Sequence, residues 1–121
     1  MIIFWLVLIL LFVSFALIVA VGAPYVPTKK KDLARLFEHI KLRKNSRVVD
    51  LGSGDGRVLL MAKKYGYRAV GYELNPVLVL LSKIRSGKSS RSQIRFKSYW
   101  AADLSKADMV FVFSAQPYMN R

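Results

Sequence analysis

The stretch Val49-Asp50-Leu51-Gly52-Ser53-Gly54-Asp55-Gly56-Arg57 decides the fold of this chain. The stretch begins within a short segment, 47–51, that predicts a buried strand. It ends where a helical pattern of apolar residues begins, over 57–65. Three glycines in five residues permit the backbone conformations of a tight turn and the close approach of the backbone to a ligand. The stretch therefore predicts a ligand-binding turn between a strand and a helix.

The segments that follow alternate between the two kinds of element. Further strands are predicted at 68–73, 94–100 and 109–113, and a helix at 77–85 begins after Asn75 as N-cap. Helices that alternate with strands in this way belong to parallel sheets. The chain is therefore predicted to be α/β, with a Rossmann-like fold of about four parallel strands and flanking helices.

An additional helix is predicted before the first strand. Leu33, Leu36, Phe37 and Ile40 follow one another at helical spacing, and Thr28 is a suitable N-cap. The single histidine, His39, lies among charged residues of this helix and is predicted to be a surface residue.

The acid Glu73 ends the second predicted strand, 21 residues after Gly52. At that edge of a sheet it can accept hydrogen bonds from both ribose hydroxyls of an adenosine. A dinucleotide fingerprint would require a glycine at position 57, where the chain has Arg57. Asp50 would be poorly placed beside a pyrophosphate, whereas carboxylates suit the amino group and sulfonium of S-adenosylmethionine. The spacing therefore favours S-adenosylmethionine over NAD.

Four of the seven acids fall at or just after the ends of predicted strands, which supports a site along one sheet edge. Among them, Asp103 is placed to accept a hydrogen bond from the adenine amino group, and a cap within its loop is the alternative. No metal site is predicted, and the absence of cysteine excludes disulfides and cysteine-ligated metals. The predicted cofactor-binding residues are Asp50, Gly52, Ser53, Gly54, Asp55, Gly56, Glu73, Asn75 and Asp103.

The N-terminal residues 2–21 contain no charged side chain and one polar side chain, Ser14. As a helix they would span about 30 Å, the thickness of the hydrocarbon core of a bilayer. No basic residue precedes the run, which disfavours a signal peptide, and Lys29-Lys30-Lys31 follows it. We therefore expect a single-pass membrane anchor at 2–21 with its N-terminus outside, a proline-containing linker at 22–28, and a cytoplasmic cofactor-binding domain at 29–121.

The remainder of the chain carries all the charged side chains and gives a net charge of +13. Such a charge attracts anionic lipid headgroups, nucleic acid or acidic protein surfaces. Beside a membrane anchor, anionic lipid is the favoured partner. Nucleic acid is the second, although no specific nucleic-acid-binding motif is present. Simple solubility is the remaining explanation.

The motifs together resemble a known family. Residues 50–57 resemble motif I of the class I (seven-strand) S-adenosylmethionine-dependent methyltransferases. Together with Pro-Tyr-Val-Pro-Thr at 24–28 and Gly-Tyr-Glu-Leu-Asn-Pro at 71–76, they make the chain similar to a narrower group. That group is the membrane-anchored lysine methyltransferases whose mitochondrial members modify the ATP synthase c-subunit and the adenine nucleotide translocase. Asp-Leu at 103–104 and Gln-Pro at 116–117 fit this group more loosely.

This resemblance implies a protein-lysine N-methyltransferase that acts on a membrane protein. It also implies acceptor contacts from Tyr25, Gln116, Pro117 and Tyr118, with ordinary packing as the alternative for the two tyrosines. The family's domain has seven strands and this chain reaches a fourth, so its C-terminal part is expected to be missing. Two other functions stay open, a methyltransferase for a small molecule or lipid and a non-catalytic remnant that binds the cofactor or a partner.

Overall fold

The computed structural model describes residues 1–21 and 25–113. Four helices, four strands and one turn of 3₁₀ helix succeed one another along this part of the chain. In chain order they are α1 (Ile2–Val21), α2 (Lys30–His39), β1 (Arg47–Leu51), α3 (Arg57–Lys64), β2 (Arg68–Glu73), α4 (Pro76–Ser86), β3 (Ser92–Phe96), the 3₁₀ turn (Tyr99–Ala101) and β4 (Met109–Val112).

The four strands form one parallel sheet in the order β3-β2-β1-β4. Asp50 on β1 is in register with Gly71 on β2 and with Phe111 on β4. Because all strands run the same way, the turn after β1 and Glu73 at the end of β2 lie on the same edge of the sheet. The expected α/β, Rossmann-like fold is confirmed.

The main core lies between one face of the sheet and helices α2 and α3. Leu33 and Phe37 on α2 and Leu59 on α3 are buried almost completely against Val48 on β1. Burial of such side chains is the main favourable contribution to folding, about 1.5–3 kcal/mol for each large aliphatic or aromatic group. A smaller cluster of Val49, Val70 and Tyr72 occupies the other face. The sheet edge that carries the turn is thus fixed by packing on both faces.

Helix α4 begins as expected from the sequence. The side chain of Asn75 accepts hydrogen bonds from the backbone N–H groups of Val77 and Leu78, and Pro76 occupies the first turn. The cap satisfies two donors that the helix cannot satisfy itself.

Two expectations about element ends were wrong. Thr28 does not cap α2, because Lys29 occupies the N-cap position and no side chain makes a capping bond there. The third strand ends at Phe96 rather than at Trp100. Ser98 accepts a hydrogen bond from the N–H of Trp100 and so begins the 3₁₀ turn, which ends the extended conformation.

The N-terminal helix α1 exposes large apolar side chains along its described length, and its side chains are described as far as Leu17. A membrane span requires about 20 apolar helical residues. Among the described residues, no helix combines the length and the apolar character that crossing a membrane requires. The expected single-pass anchor at 2–21, with its N-terminus outside, is therefore not supported.

Gly56 and Gly66 form a matched pair for testing the packing of α3 against α4. Both have a left-handed φ, +79° and +82°, but a Cβ on Gly56 would overlap the Oγ of Ser82, whereas a Cβ on Gly66 would meet nothing within 4 Å. We expect Gly66→Ala to cost only backbone strain, about 1–2 kcal/mol. Gly56→Ala should reduce the free energy of unfolding by about 1–3 kcal/mol more, since it also overpacks the helix contact. Denaturant unfolding measures both, and equal losses would contradict the close contact.

Candidate cofactor site

A cavity of about 500 Å³ opens at the carboxyl edge of the sheet. Its walls are the turn after β1, the end of β2, the start of α4, the segment 25–28, residues of the segment 97–104, the segment 111–113 at the end of β4, and Phe15 of α1. This volume is typical of sites for small molecules and cofactors. The cofactor contacts predicted from the sequence include residues of the first three walls, and Tyr25, predicted as an acceptor contact, belongs to the fourth.

The glycine turn that follows β1 is hydrogen-bonded to the end of β2. The N–H groups of Gly52 and Ser53 both donate to the carbonyl oxygen of Tyr72 over 2.9 Å. The N–H of Gly54 donates to Oε2 of Glu73 over 2.8 Å. Gly52 and Gly54 have φ angles of +84° and +52°, in the left-handed region that favours glycine. The turn is therefore held in one conformation beside Glu73.

The Glu73 carboxylate accepts three hydrogen bonds from the backbone. Its Oε1 accepts from the N–H groups of Leu74 and Asn75, over 2.9 and 2.8 Å, and its Oε2 accepts from Gly54. A carboxylate offers about four acceptor positions. One position thus remains for a hydroxyl group of a ligand, and a second becomes available only if the Gly54 N–H moves away.

Asp50 is a buried carboxyl group that lines the same cavity. Burial raises the pKa of Asp50 to about 8, and the nearby carboxylates of Glu73 and Asp55 add to the increase. A cation bound beside it would favour the ionised form and lower that pKa. Asp50 is therefore suited to a positively charged ligand.

Asp55 differs from Asp50 because two guanidinium groups neutralise it. Arg57 binds it in a bidentate manner, with Nε 2.9 Å from Oδ1 and Nη2 2.8 Å from Oδ2, and Arg85 also forms an ion pair with Oδ2. The hydrogen bonds from Arg57, followed by those from Arg85, hold the pKa of Asp55 at about 2. We conclude that this carboxylate organises the wall of the cavity and has little capacity left to bind a cationic ligand.

Arg57 joins the glycine turn to the segment before α2. Its Nη1 donates to the carbonyl oxygen of Thr28 over 2.7 Å, and its Nη2 lies 3.5 Å from the hydroxyl of Tyr25. The Tyr25 ring lies over Gly54, since a Cβ on that glycine would be 2.7 Å from the ring. From the sequence, Arg57 was noted only because a dinucleotide fingerprint would have glycine there. Its contacts were not predicted because they join residues far apart in the chain.

The remaining predicted site residues divide into four groups. Gly56 does not line the cavity and lies instead against Ser82 of α4. Ser53 lines the cavity, but its side chain packs against Gly71, where a Cβ would be 2.5 Å from Oγ. Asp103 is exposed, accepts a hydrogen bond from the N–H of Ser105 over 2.9 Å and does not line the cavity, so the structure supports its alternative role as a cap within the loop. Gln116, Pro117 and Tyr118 lie outside the described residues.

Two aromatic residues of the cavity wall were not found from the sequence. Tyr99 and Trp100 line the cavity, with their ring centroids 5.2 Å apart, and Trp100 is 70% exposed. They were assigned to a strand, and the only available signal was their position just after it, on the edge where ligands bind.

A parallel sheet with a glycine turn after β1 and an acid at the end of β2 is typical of Rossmann-like folds that bind adenosine cofactors. Similarity to known proteins places this chain in one class of them, the S-adenosylmethionine-dependent methyltransferases. The structure is similar to the crystal structure of an RNA methyltransferase from Salinibacter ruber in complex with S-adenosyl-L-homocysteine. The TM-score is 0.69 and the identity is 31%, over 77% of this chain and 63% of the other.

Residues 50–121 match the ANTKMT methyltransferase domain, and the chain belongs to this family. The expected cofactor, S-adenosylmethionine, is confirmed for the family and its fold. The chain is 35% identical over 99 residues to the ATP synthase c-subunit lysine N-methyltransferase of Homo sapiens. It is 38% identical over 96 residues to the adenine nucleotide translocase lysine N-methyltransferase of Mus musculus. These matches cover 79% and 76% of this chain and 42% of each relative, so the chain spans less than half of either relative's length.

The raised pKa of Asp50 predicts a specific dependence of stability on pH. Between about pH 4 and 8 the folded protein keeps a proton that the unfolded chain has lost, because the ordinary pKa is 3.8 and the folded-state pKa is about 8. The contribution of Asp50 to the free energy of unfolding must therefore fall as the pH rises through this window. We expect the Tm of the Asp50→Asn variant to rise relative to that of the parent from pH 4 to 8, and then to stay level. Parallel Tm profiles, measured without cofactor, would contradict the assignment.

The hydrogen bonds of Arg57 predict that this residue holds the segment 25–28 in place. We expect Arg57→Gln to loosen that segment and to accelerate tryptic cleavage after Lys29, by about tenfold if one charge-assisted hydrogen bond of about 1.5 kcal/mol controls the opening. Arg68→Gln, at an exposed position on β2, is the matched control because it also removes one tryptic site. Equal rates of cleavage after Lys29 in the two variants would show that Arg57 does not hold the segment.

Proposed function

We propose that this chain, through residues 29–121, is part of an S-adenosylmethionine-dependent methyltransferase that modifies a lysine of a membrane protein. The family and the names of the relatives support the reaction and the type of acceptor. The observation that carries the proposal is the buried carboxyl group of Asp50 beside Glu73 and the glycine turn. This combination suits a nucleoside that bears positive charge.

The residues of the cavity suit three parts of the cofactor, namely its ribose, its positively charged groups and its base. Glu73 has an acceptor position for a ribose hydroxyl, and the glycine turn lets the backbone approach the ligand closely. Asp50 would face the amino and sulfonium charges. The rings of Tyr99 and Trp100 offer an apolar wall for the base. When bound, the cofactor supplies a methyl group on an already activated leaving group, so the protein mainly has to align the reactants.

A lysine acceptor must reach the cavity as a neutral amine, and removal from water lowers its pKa. Tyr25 is the acceptor contact that we propose, because its ring covers Gly54 and its side chain lines the cavity. Burial, followed by the charge of Asp55, raises the pKa of Tyr25, so its hydroxyl stays protonated and can hydrogen-bond to the amine. Gln116, Pro117 and Tyr118 remain proposed acceptor contacts by resemblance alone.

The proposal of a membrane protein as substrate rests on the relatives and on charge. The names of the relatives specify the c-subunit of ATP synthase and the adenine nucleotide translocase as their substrates. The net charge of +13 favours a location beside anionic lipid.

Glu73→Ala tests the site for the cofactor. We expect the affinity for S-adenosylhomocysteine to fall by roughly 1.5–3 kcal/mol, as is usual when hydrogen bonds to a charged group are lost. Calorimetric titration measures this, with Glu38→Ala on the exposed surface of α2 as the control. Unchanged affinity in the Glu73 variant would remove Glu73 from the site, provided that its unfolding temperature shows an intact fold.

The reaction itself is tested with S-adenosylmethionine labelled in its methyl group. The full chain is incubated with membranes, total RNA and labelled cofactor, and the label is then separated into protein, lipid and nucleic acid. We expect label in protein, recovered after hydrolysis as methylated lysine. Label in lipid would favour a lipid acceptor, and cofactor binding without transfer would favour a non-catalytic remnant.

RNA is the second candidate acceptor. The structure from Salinibacter ruber is described as an RNA methyltransferase, and the strong positive charge of this chain suits nucleic acid. Label found in RNA and not in protein would establish this alternative.

A further inference from the structure

Helix α4 carries an exposed row of aliphatic side chains on its outer face. Val77, Leu80 and Ile84 are 68%, 60% and 70% exposed. Their spacing of three and four residues places them on one side of a helix that turns about 100° per residue. Val79 and Ser82 on the opposite side are buried, so the orientation of α4 is fixed by its packing.

The charged side chains of α4 itself are all positive. The sequence of α4 contains no acidic residue. Lys83 flanks the row and is exposed, whereas the guanidinium of Arg85 is held by Asp55 and is not counted with this border. Lys88 and Arg91 follow the helix at exposed positions. The face therefore combines an apolar centre with a cationic border.

We propose that this α4 face, formed by Val77, Leu80 and Ile84 with the basic side chains of Lys83 and Lys88 beside it, docks on an anionic lipid surface. The aliphatic side chains would enter the boundary between headgroups and acyl chains, and the long basic side chains would reach the headgroups. The inference rests on the proposed function, since a membrane-bound substrate requires the enzyme to work at that surface.

Two observations favour lipid over an acidic protein as the occupant. The row offers only aliphatic groups and no hydrogen-bonding side chain, which suits a fluid apolar surface better than a specific polar partner. The helix also adjoins the cavity, because Asn75 and Leu78 line it while Val77 and Leu80 face outward. Docking through α4 would thus bring the cavity next to the membrane surface, where a lysine of a membrane protein can reach it.

The absence of cysteine from the chain permits a position-specific test in the full-length protein. We would label Leu80→Cys with an environment-sensitive fluorophore such as NBD, and use Glu38→Cys on the exposed surface of α2 as the matched control. Each labelled protein is mixed with vesicles of phosphatidylcholine alone or with phosphatidylserine, with and without a lipid-attached quencher. Each label reports only on its own surroundings. A contact between another part of the chain and the vesicles would therefore not be mistaken for docking through α4.

We expect the label at position 80 to shift to the blue and to be quenched on phosphatidylserine vesicles, while the label at 38 stays as in water. Adding Lys83→Gln should raise the lipid concentration for half the change about fivefold, because a basic residue near an anionic surface contributes about 1 kcal/mol. A label at 80 that stays as in water on these vesicles would overturn the proposal. So would one that responds only to an acidic polypeptide, which would indicate a protein partner.

Calorimetric titration of the same labelled proteins with S-adenosylhomocysteine separates this proposal from the proposed function. Cofactor binding with an unresponsive label at position 80 would overturn the docking surface alone. A responsive label without cofactor binding would overturn the proposed function and leave the lipid surface in place.

Discussion

The hydrogen bonds between the glycine turn and the end of β2 are the constraint on which the site depends. The carbonyl of Tyr72 accepts two N–H groups of the turn, and the carboxylate of Glu73 accepts a third from Gly54. Parallel pairing of β1 with β2 brings these groups to one edge of the sheet. The acid that the sequence marks as a ligand contact is therefore also the group that shapes the turn, and any ligand on Glu73 is coupled to the conformation of the loop.

Asp50 and Asp55 differ in their electrostatic surroundings and therefore have different functions in the site. Asp50 is buried, and its pKa is raised mainly by burial. A cation bound beside it would therefore favour its ionised form. Asp55 is paired with Arg57 and Arg85, and its pKa is held low. Arg57 then extends the pairing to the segment that carries Tyr25. One carboxyl group thus suits the ligand, and the other holds the wall that covers it.

The sequence predicted the features that depend on neighbouring residues, namely the glycine turn, the cap at Asn75 and the alternation of parallel strands and helices. It was less successful where distant residues decide. The hydrogen bond from Arg57 to Thr28 joins positions 29 residues apart, and no local sequence pattern predicts it. The sequence did not distinguish between a ligand contact and a local cap for Asp103, because the path of a loop depends on what it packs against. The apolar N-terminal run was interpreted from composition alone, and the expected membrane span was not supported in the described residues.

A crystal structure of the chain with S-adenosylhomocysteine would show whether Glu73 and the glycine turn bind the cofactor. We expect a ribose hydroxyl within about 3 Å of the Glu73 carboxylate, a normal hydrogen-bond distance, and the amino group of the ligand on the side of Asp50. If both ribose hydroxyls bind Glu73, the N–H of Gly54 must have left Oε2. A nucleoside bound away from the turn after β1, with the bonds of Glu73 to Gly54, Leu74 and Asn75 unchanged, would contradict this assignment.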